Sequence, residues 1–431
     1  MTLTLPQLTV EDPAVAGEGS LDPLGLGPLG ERLGSLLLPA ITNRMRRPRF
    51  LTAMSAAALA CEGLDESVEP ADHTTIPSTA FEWLMLEAIV RRPTRCAPDE
   101  LNGVPGSSKV RVAIEKGERL SAGNYLKTPT VFGFTGVLLP LARAMALLDR
   151  DRRAREQVPE LVAVWEQEQD LAGFAGEGRH GTGASFRRSL RSEVQRALEQ
   201  GRCDTATSSH LLGQLVDRMR PGGAGPSERS WLRQAIVETN DEVGIEIASG
   251  LARCPFDSDR GLLDTIRAGA SSELAARLDA VTSYEAVAVR LEAVFDSWMY
   301  QSTQSRHAAV TPSQVGASES VAAALKGLAA AADEASDRLD AVGLAEPFEQ
   351  FVDLARDARS GEALAAAIMA HHEAIQARKL PVGKRPWFEP VGTGYVVRGL
   401  YHRHDKPSTS FDHFNRPYRL STYQSLLSEL T

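Results

Sequence analysis

The chain has 431 residues, 43% hydrophobic and 24% charged, with a formal net charge of −9. That length exceeds one ordinary core and calls for roughly two to four structural units, with enough apolar surface to fold without disulfides or metals. The negative balance argues against a protein that coats nucleic acid uniformly. Aromatic content of 6%, with abundant Ala and Leu, favours helix over sheet.

Cys61, Cys96, Cys203 and Cys254 stand apart with no C-x-x-C pair, so they read as reduced thiols of a cytoplasmic protein. Residues Met1 to Pro23 carry Glu11, Asp12, Glu18 and Asp22 and lack the basic start and apolar core of a signal peptide. The apolar run Val137 to Leu148 is interrupted by Pro140 and Arg143, short of the ~20 residues a membrane span needs. A cytoplasmic, non-membrane location is expected.

In chain order, residues 1–27 are rich in Gly, Pro and acid and form a loosely ordered lead-in. Residues 28–150 are expected as a mixed, mainly helical subdomain. Leu29, Leu33, Leu36 and Leu37 repeat at helical spacing up to Pro39, a second helix follows Pro48, and a third runs from Ser78 or Thr79 to Pro93. The Gly, Pro, Thr and Val punctuation of Leu101 to Phe134 predicts turns and a short strand pair. Residues 151–300 are expected as a helical domain, with one apolar stripe at Phe186, Leu190, Val194 and Leu198 and another at Val287, Leu291, Val294, Phe295 and Trp298. Residues 301–320, rich in Ser, Thr and Gln, suggest a linker. Residues 321–380 predict a bundle of Ala-rich helices. Residues 381–431 hold eight aromatics, and Val391 to Leu400 has the glycine spacing of a β-hairpin. The fold class is therefore mainly α, multi-unit, with a short β-containing C-terminal segment.

Of 47 basic residues 40 are Arg, which fits either phosphate recognition or a GC-rich coding sequence. They gather in three islands. Arg44, Arg46, Arg47 and Arg49 form a basic turn between two helices. Arg187, Arg188 and Arg191 lie opposite an apolar stripe within a three-helix stretch that permits a helix-turn-helix reading. Arg398, Arg403 and Arg416 alternate with rings such as Trp387 and Tyr401, so that phosphates could meet cations while bases stack. The alternative for each island is a solvated or structural arginine face.

Gly176, Gly178 and Gly181 spell G-x-G-x-x-G, but charged, helical residues precede them where a dinucleotide fold needs a buried strand. His402, His404, Asp405 and His413 offer ligand types a divalent metal accepts without a recognisable spacing, so metal is the weaker reading and no cofactor is assigned. Walker, nucleophile-elbow, H-E-x-x-H and kinase signatures are absent. No catalytic residue can be nominated.

The run Leu33 to Pro39, the arginine turn leading into an apolar helix, Gly103-Val104-Pro105-Gly106, and Ser121 to Phe134 (SAGNYLKTPTVFGF) resemble an uncharacterised bacterial family. Members of that family are encoded beside helicases and phospholipase-D-type nucleases in anti-phage defence islands. The resemblance covers residues 22–150, brings no catalytic residues, and implies a component of a defence system. The expected function is a non-enzymatic nucleic-acid-binding or scaffolding subunit with a helicase or nuclease partner. A purely structural interaction protein and a metal-dependent hydrolase built on the C-terminal His and Asp residues are the alternatives.

Overall fold

The computed structural model describes residues 22–92, 95–176, 180–255, 258–305, 308–379 and 385–431. The expected lead-in lies largely outside them, and so does Gly178 of the glycine motif. The protein is mainly α, with twenty α-helices and a two-stranded antiparallel sheet among the described residues. None of these helices is long and apolar enough to cross a membrane.

The chain divides into two compact units. One comprises residues 38–257 and 419–431. At its centre lie the helices Phe50–Ala60 and Pro77–Arg91, which are buried nearly all round. A helix without a polar face is covered on all sides, and these two supply the surfaces on which the amphipathic ones dock. Helices Phe134–Ala144, Val158–Glu168 and Thr182–Gln200 pack on the first, and Ser107–Glu115 and Ser209–Met219 on the second. The C-terminal helix Leu420–Ser428 buries Tyr423, Leu426 and Leu427 and packs against Glu242–Leu251.

The strand pair expected between residues 101 and 134 does not form. Helix Ser107–Glu115 occupies part of that stretch, while Ser121 makes only an isolated bridge with Arg202. The Gly and Pro punctuation there serves helix starts: Gly106 precedes one helix in the left-handed region, and Pro129 opens a short turn of helix.

The other unit comprises residues 1–37 and 258–418. Its axis is the 33-residue helix Ser272–Gln304, around which Gly27–Leu37, Glu319–Leu325, Leu328–Asp340 and Gly361–Arg378 pack. Tyr284 Oη donates to Leu26 O at 2.5 Å and Arg277 Nη1 to Leu36 O at 2.5 Å, fixing the Gly27–Leu37 helix to that axis. Helices Pro312–Gly316 and Gly361–Arg378 meet backbone to backbone at Gly316 and Gly361. A Cβ added to Gly361 would sit 2.2 Å from Gly316 O. The hairpin pairs Phe388–Val391 with Gly394–Val397, Phe388 opposite Val397, and a bridge from Tyr395 to Val310 extends it.

These units cut across the boundaries expected at residues 150, 300, 320 and 380. The long helix continues to Gln304, and the supposed linker 301–320 buries Val310, Val315 and Ser320. Its Ser and Thr are caps and contacts rather than solvated spacers: Thr311 and Gln314 form a capping box, and Ser320 Oγ lies 2.7 Å from Ser297 Oγ. The aromatic segment is likewise divided, its hairpin falling in one unit and its last helix in the other.

The first central helix starts on a buried ion pair. Arg49 and Glu228 have side chains 2% and 0% exposed, with Nε to Oε1 at 3.1 Å and Nη2 to Oε2 at 3.2 Å. Arg49 also donates to Arg220 O at 2.6 Å and Arg218 O at 2.9 Å. Arg49→Ala would strand the Glu228 carboxylate in the core, and breaking such a pair costs about 3–5 kcal/mol. Urea denaturation should register that loss, with much of it recovered when both residues are replaced by Met. A single-variant loss below ~1 kcal/mol would place the pair with surface bridges instead.

Candidate binding site

The three arginine islands are the first test of a nucleic-acid surface. In the first, Arg49 is buried on Glu228 as described. Arg46 Nη1 donates to Met45 O at 2.6 Å and to Thr422 Oγ1 at 3.2 Å. Arg47, in the left-handed region with φ 59°, donates to Asp99 O and pairs with Glu429 at 3.3 Å. Arg44 is exposed, its guanidinium 4.8 Å from the Phe132 ring centre.

In the second island, Arg187 donates to Leu59 O at 2.8 Å and Phe174 O at 3.1 Å, and Arg191 to Ala60 O at 3.2 Å and Glu62 O at 2.6 Å. Both thus satisfy carbonyls at the C-terminus of the Phe50–Ala60 helix, where orphan acceptors and the negative end of the dipole favour cations. Arg188 is exposed.

In the third, Arg416 meets Glu285 at 3.1 Å and also Glu292, while Tyr418 Oη donates to Glu285 at 2.6 Å. Burial pushes the Glu292 carboxyl up against the pull of Arg416. Arg403 pairs with Asp296 at 3.0 Å and Arg398 with Glu389 at 3.6 Å. Trp387 and Tyr401 stack on each other, ring centres 4.2 Å apart and planes 3° from parallel. A base stacking between them would first have to part them.

His402, His404 and Asp405 are exposed in irregular chain after the short 3₁₀ turn Gly399–Tyr401 rather than on a strand, where alternate residues such as His402 and His404 would share one face. Among the described residues no group of three His, Cys, Asp or Glu side chains is spaced to hold a metal, and His413 does not complete one. His372 has a structural role instead. Its Nε2 accepts from Trp387 N at 2.9 Å, so Nδ1 carries the proton toward Pro23 O at 2.9 Å. Burial holds it neutral, with its pKa lowered to about 4.

The unit of residues 38–257 holds a cavity of about 700 Å³. Helix Phe50–Ala60 gives one wall with Met54, Ala57 and Ala58, and the start of helix Pro77–Arg91 gives another with Ser78 and Phe81. Arg152, with φ 65°, closes a third side from the turn after Leu148. A bulky residue in the left-handed region is an outlier that only its surroundings maintain. Arg152 Nη2 donates to Thr130 O at 3.1 Å, while its Nε and Ser78 Oγ are buried without hydrogen-bond partners.

Behind the Thr135 wall sits Glu82, fully buried. It accepts from Tyr125 Oη and from Thr135 N and Oγ1 at 2.9 and 2.7 Å. Burial raises its pKa to about 7, against the opposing pull of those hydrogen bonds. Space around it is closed to a methyl group: a Cβ on Gly133 would lie 2.0 Å from Glu82 Oε1, and one on Gly106 2.2 Å from Tyr125 Oη. Gly106 of the Gly103 to Gly106 turn and Tyr125 and Gly133 of the stretch Ser121 to Phe134 therefore converge on one buried carboxyl.

Sequence reasoning nominated none of the cavity residues, which come from four separate stretches of chain. One signal was available for the buried carboxyl behind the cavity, since Glu82 and Glu87 interrupt the otherwise apolar run from Ala80 to Val90. Comparison with known protein families, curated proteins and solved structures finds no match.

Glu82 sets a pH dependence whose sign follows from its raised pKa. The folded state keeps a proton there that the unfolded chain releases from about 4.5 upward, so stability falls as pH rises from about 4.5 to about 7. Glu82→Gln lacks that penalty. It should match the parent protein near about pH 4 and exceed it at about pH 8 by up to about 3 kcal/mol. Thermal melts across that range check the sign, and a difference independent of pH would refute the assignment.

Proposed function

We propose that this chain is a non-enzymatic scaffolding subunit of a bacterial anti-phage defence assembly, working beside a helicase or nuclease partner. The observation that favours scaffold over nucleic-acid binder is the use made of the arginines. Arg46, Arg47, Arg49, Arg187, Arg191, Arg398, Arg403 and Arg416 all have acceptors within their own unit. A phosphate would have to compete with partners already in place, several of them buried charges that would be left stranded. The same links hold helix ends and irregular segments in fixed positions, which suits a part that presents surfaces to partners. The defence setting rests on the resemblance in residues 22–150.

Fluorescence anisotropy with single- and double-stranded oligonucleotides at about 50 mM salt tests the choice, because phosphate contacts are strongest there. The scaffold reading expects no saturable binding. It further expects that Arg398→Ala/Arg403→Ala/Arg416→Ala lowers the melting temperature, while mixing with the neighbouring gene products gives a complex of defined stoichiometry. Salt-dependent binding by the intact chain whose slope falls in a folded triple variant would return the C-terminal arginines to phosphate contact.

A further inference from the structure

The geometry points to a binding site for a small organic anion with an apolar body, such as a medium-chain carboxylate, in the cavity bounded by Ala58, Ser78, Phe81 and Arg152. Its volume, about 700 Å³, is within the usual range for small-molecule sites. Met54, Ala57, Ala58 and Phe81 supply the apolar walls.

The polar groups on those walls are donors in want of an acceptor. Ser78 Oγ and Arg152 Nε are buried and make no hydrogen bond. Turning Ser78 Oγ toward the cavity therefore breaks no hydrogen bond, and an acceptor brought to it or to Arg152 Nε ends an uncompensated burial, while Arg152 Nη2 stays on Thr130 O at 3.1 Å. Ser78 also lies in the first turn of the helix Pro77–Arg91, which has no acidic residue in that turn and no side-chain cap, so the positive end of its dipole faces the same wall.

Acidic residues at the mouth oppose an anion, and their weight has to be compared with that of the donors. Asp65 and Glu66 are both paired with Arg153, at 2.8 and 2.9 Å. Asp149 Oδ1 accepts the backbone N–H groups of Asp151 and Arg153 at 2.8 and 2.9 Å. Glu62 and Asp151 are exposed, where water and salt screen them. Ser78 Oγ and Arg152 Nε are themselves buried, where a charge interaction at the same distance is roughly fourfold stronger than in bulk solvent. Glu82, behind the Thr135 wall, also acts on Arg152, and burial holds its carboxyl up at about 7, so that below that pH it sets little charge against an anion.

The probe is 8-anilinonaphthalene-1-sulfonate, an apolar ring system with an acceptor head, titrated into the full chain and followed by fluorescence. One saturable site is expected. Ala58→Trp, which fills the cavity, should abolish it, Arg152→Gln should weaken it about tenfold, and Ser78→Ala should weaken it a few-fold with an unchanged melting curve. Hexanoate should displace the probe, and hexylammonium should not. If Ala58→Trp fails to fold, Ser78→Ala and the displacement pair still decide. Unchanged affinity in Ser78→Ala and Arg152→Gln, or displacement by hexylammonium in preference to hexanoate, overturns the proposal.

Discussion

A guanidinium taken out of water must find acceptors, and that requirement organises both units of this protein. Arginine is suited to the task because its planar fork makes several directed bonds at once and stays charged when buried. Arg49 shows the full use of the fork, serving the Glu228 carboxylate and two carbonyls from one buried position. Arg416 does the same for two acidic residues of the long helix, with its guanidinium 5.6 Å from the Tyr284 ring centre. Gly30 leaves room for it, since a Cβ there would lie 2.6 Å from Arg416 Cδ. Elsewhere Arg187 and Arg191 close the open carbonyls of a central helix. Such contacts stabilise only while both partners remain, so the arginines and their acceptors form a set that does not tolerate loss of single members.

The helices were legible in the sequence because burial imposes a period. The stripe Phe186, Leu190, Val194 and Leu198 is indeed buried on helix Thr182–Gln200, and Val287 to Trp298 on helix Ser272–Gln304. The hairpin was legible through its glycines, with Gly392 in the left-handed region at the turn. What could not be read was which helix packs with which. Helix Gly27–Leu37 groups with a partner some 240 residues away rather than with its chain neighbours, and no local pattern encodes that choice. Ser and Thr misled for a related reason. The same hydroxyl that solvates a linker caps a helix at Thr311, and composition alone does not separate the two.

The candidate sites were less legible than the fold. Arginine clustering reads the same whether the acceptor is a phosphate or a protein carbonyl, because the side chain's donors are identical in both cases and only the fold supplies the acceptor. The cavity was invisible for the opposite reason: Ser78 and Arg152 are unremarkable singly, and their significance lies in two buried donor atoms, Ser78 Oγ and Arg152 Nε, that make no hydrogen bond. Glu82 left a trace, a carboxyl inside an all-round apolar helix, and the patterns Gly103 to Gly106 and Ser121 to Phe134 turn out to be the packing around it. Those patterns carry structure, closing the space around a buried carboxyl, and bring no chemistry of their own.

If the arginines are structural members, their charges must be energetically coupled to the acids beside them. A double-mutant cycle on Arg416→Met and Glu285→Gln, read by equilibrium unfolding, measures that coupling with the packing losses cancelled. Residues held in one buried network should couple by about 1–3 kcal/mol. A coupling within about 0.3 kcal/mol of zero, the behaviour of independent sites, would contradict the account and leave Arg416 available to an external anion.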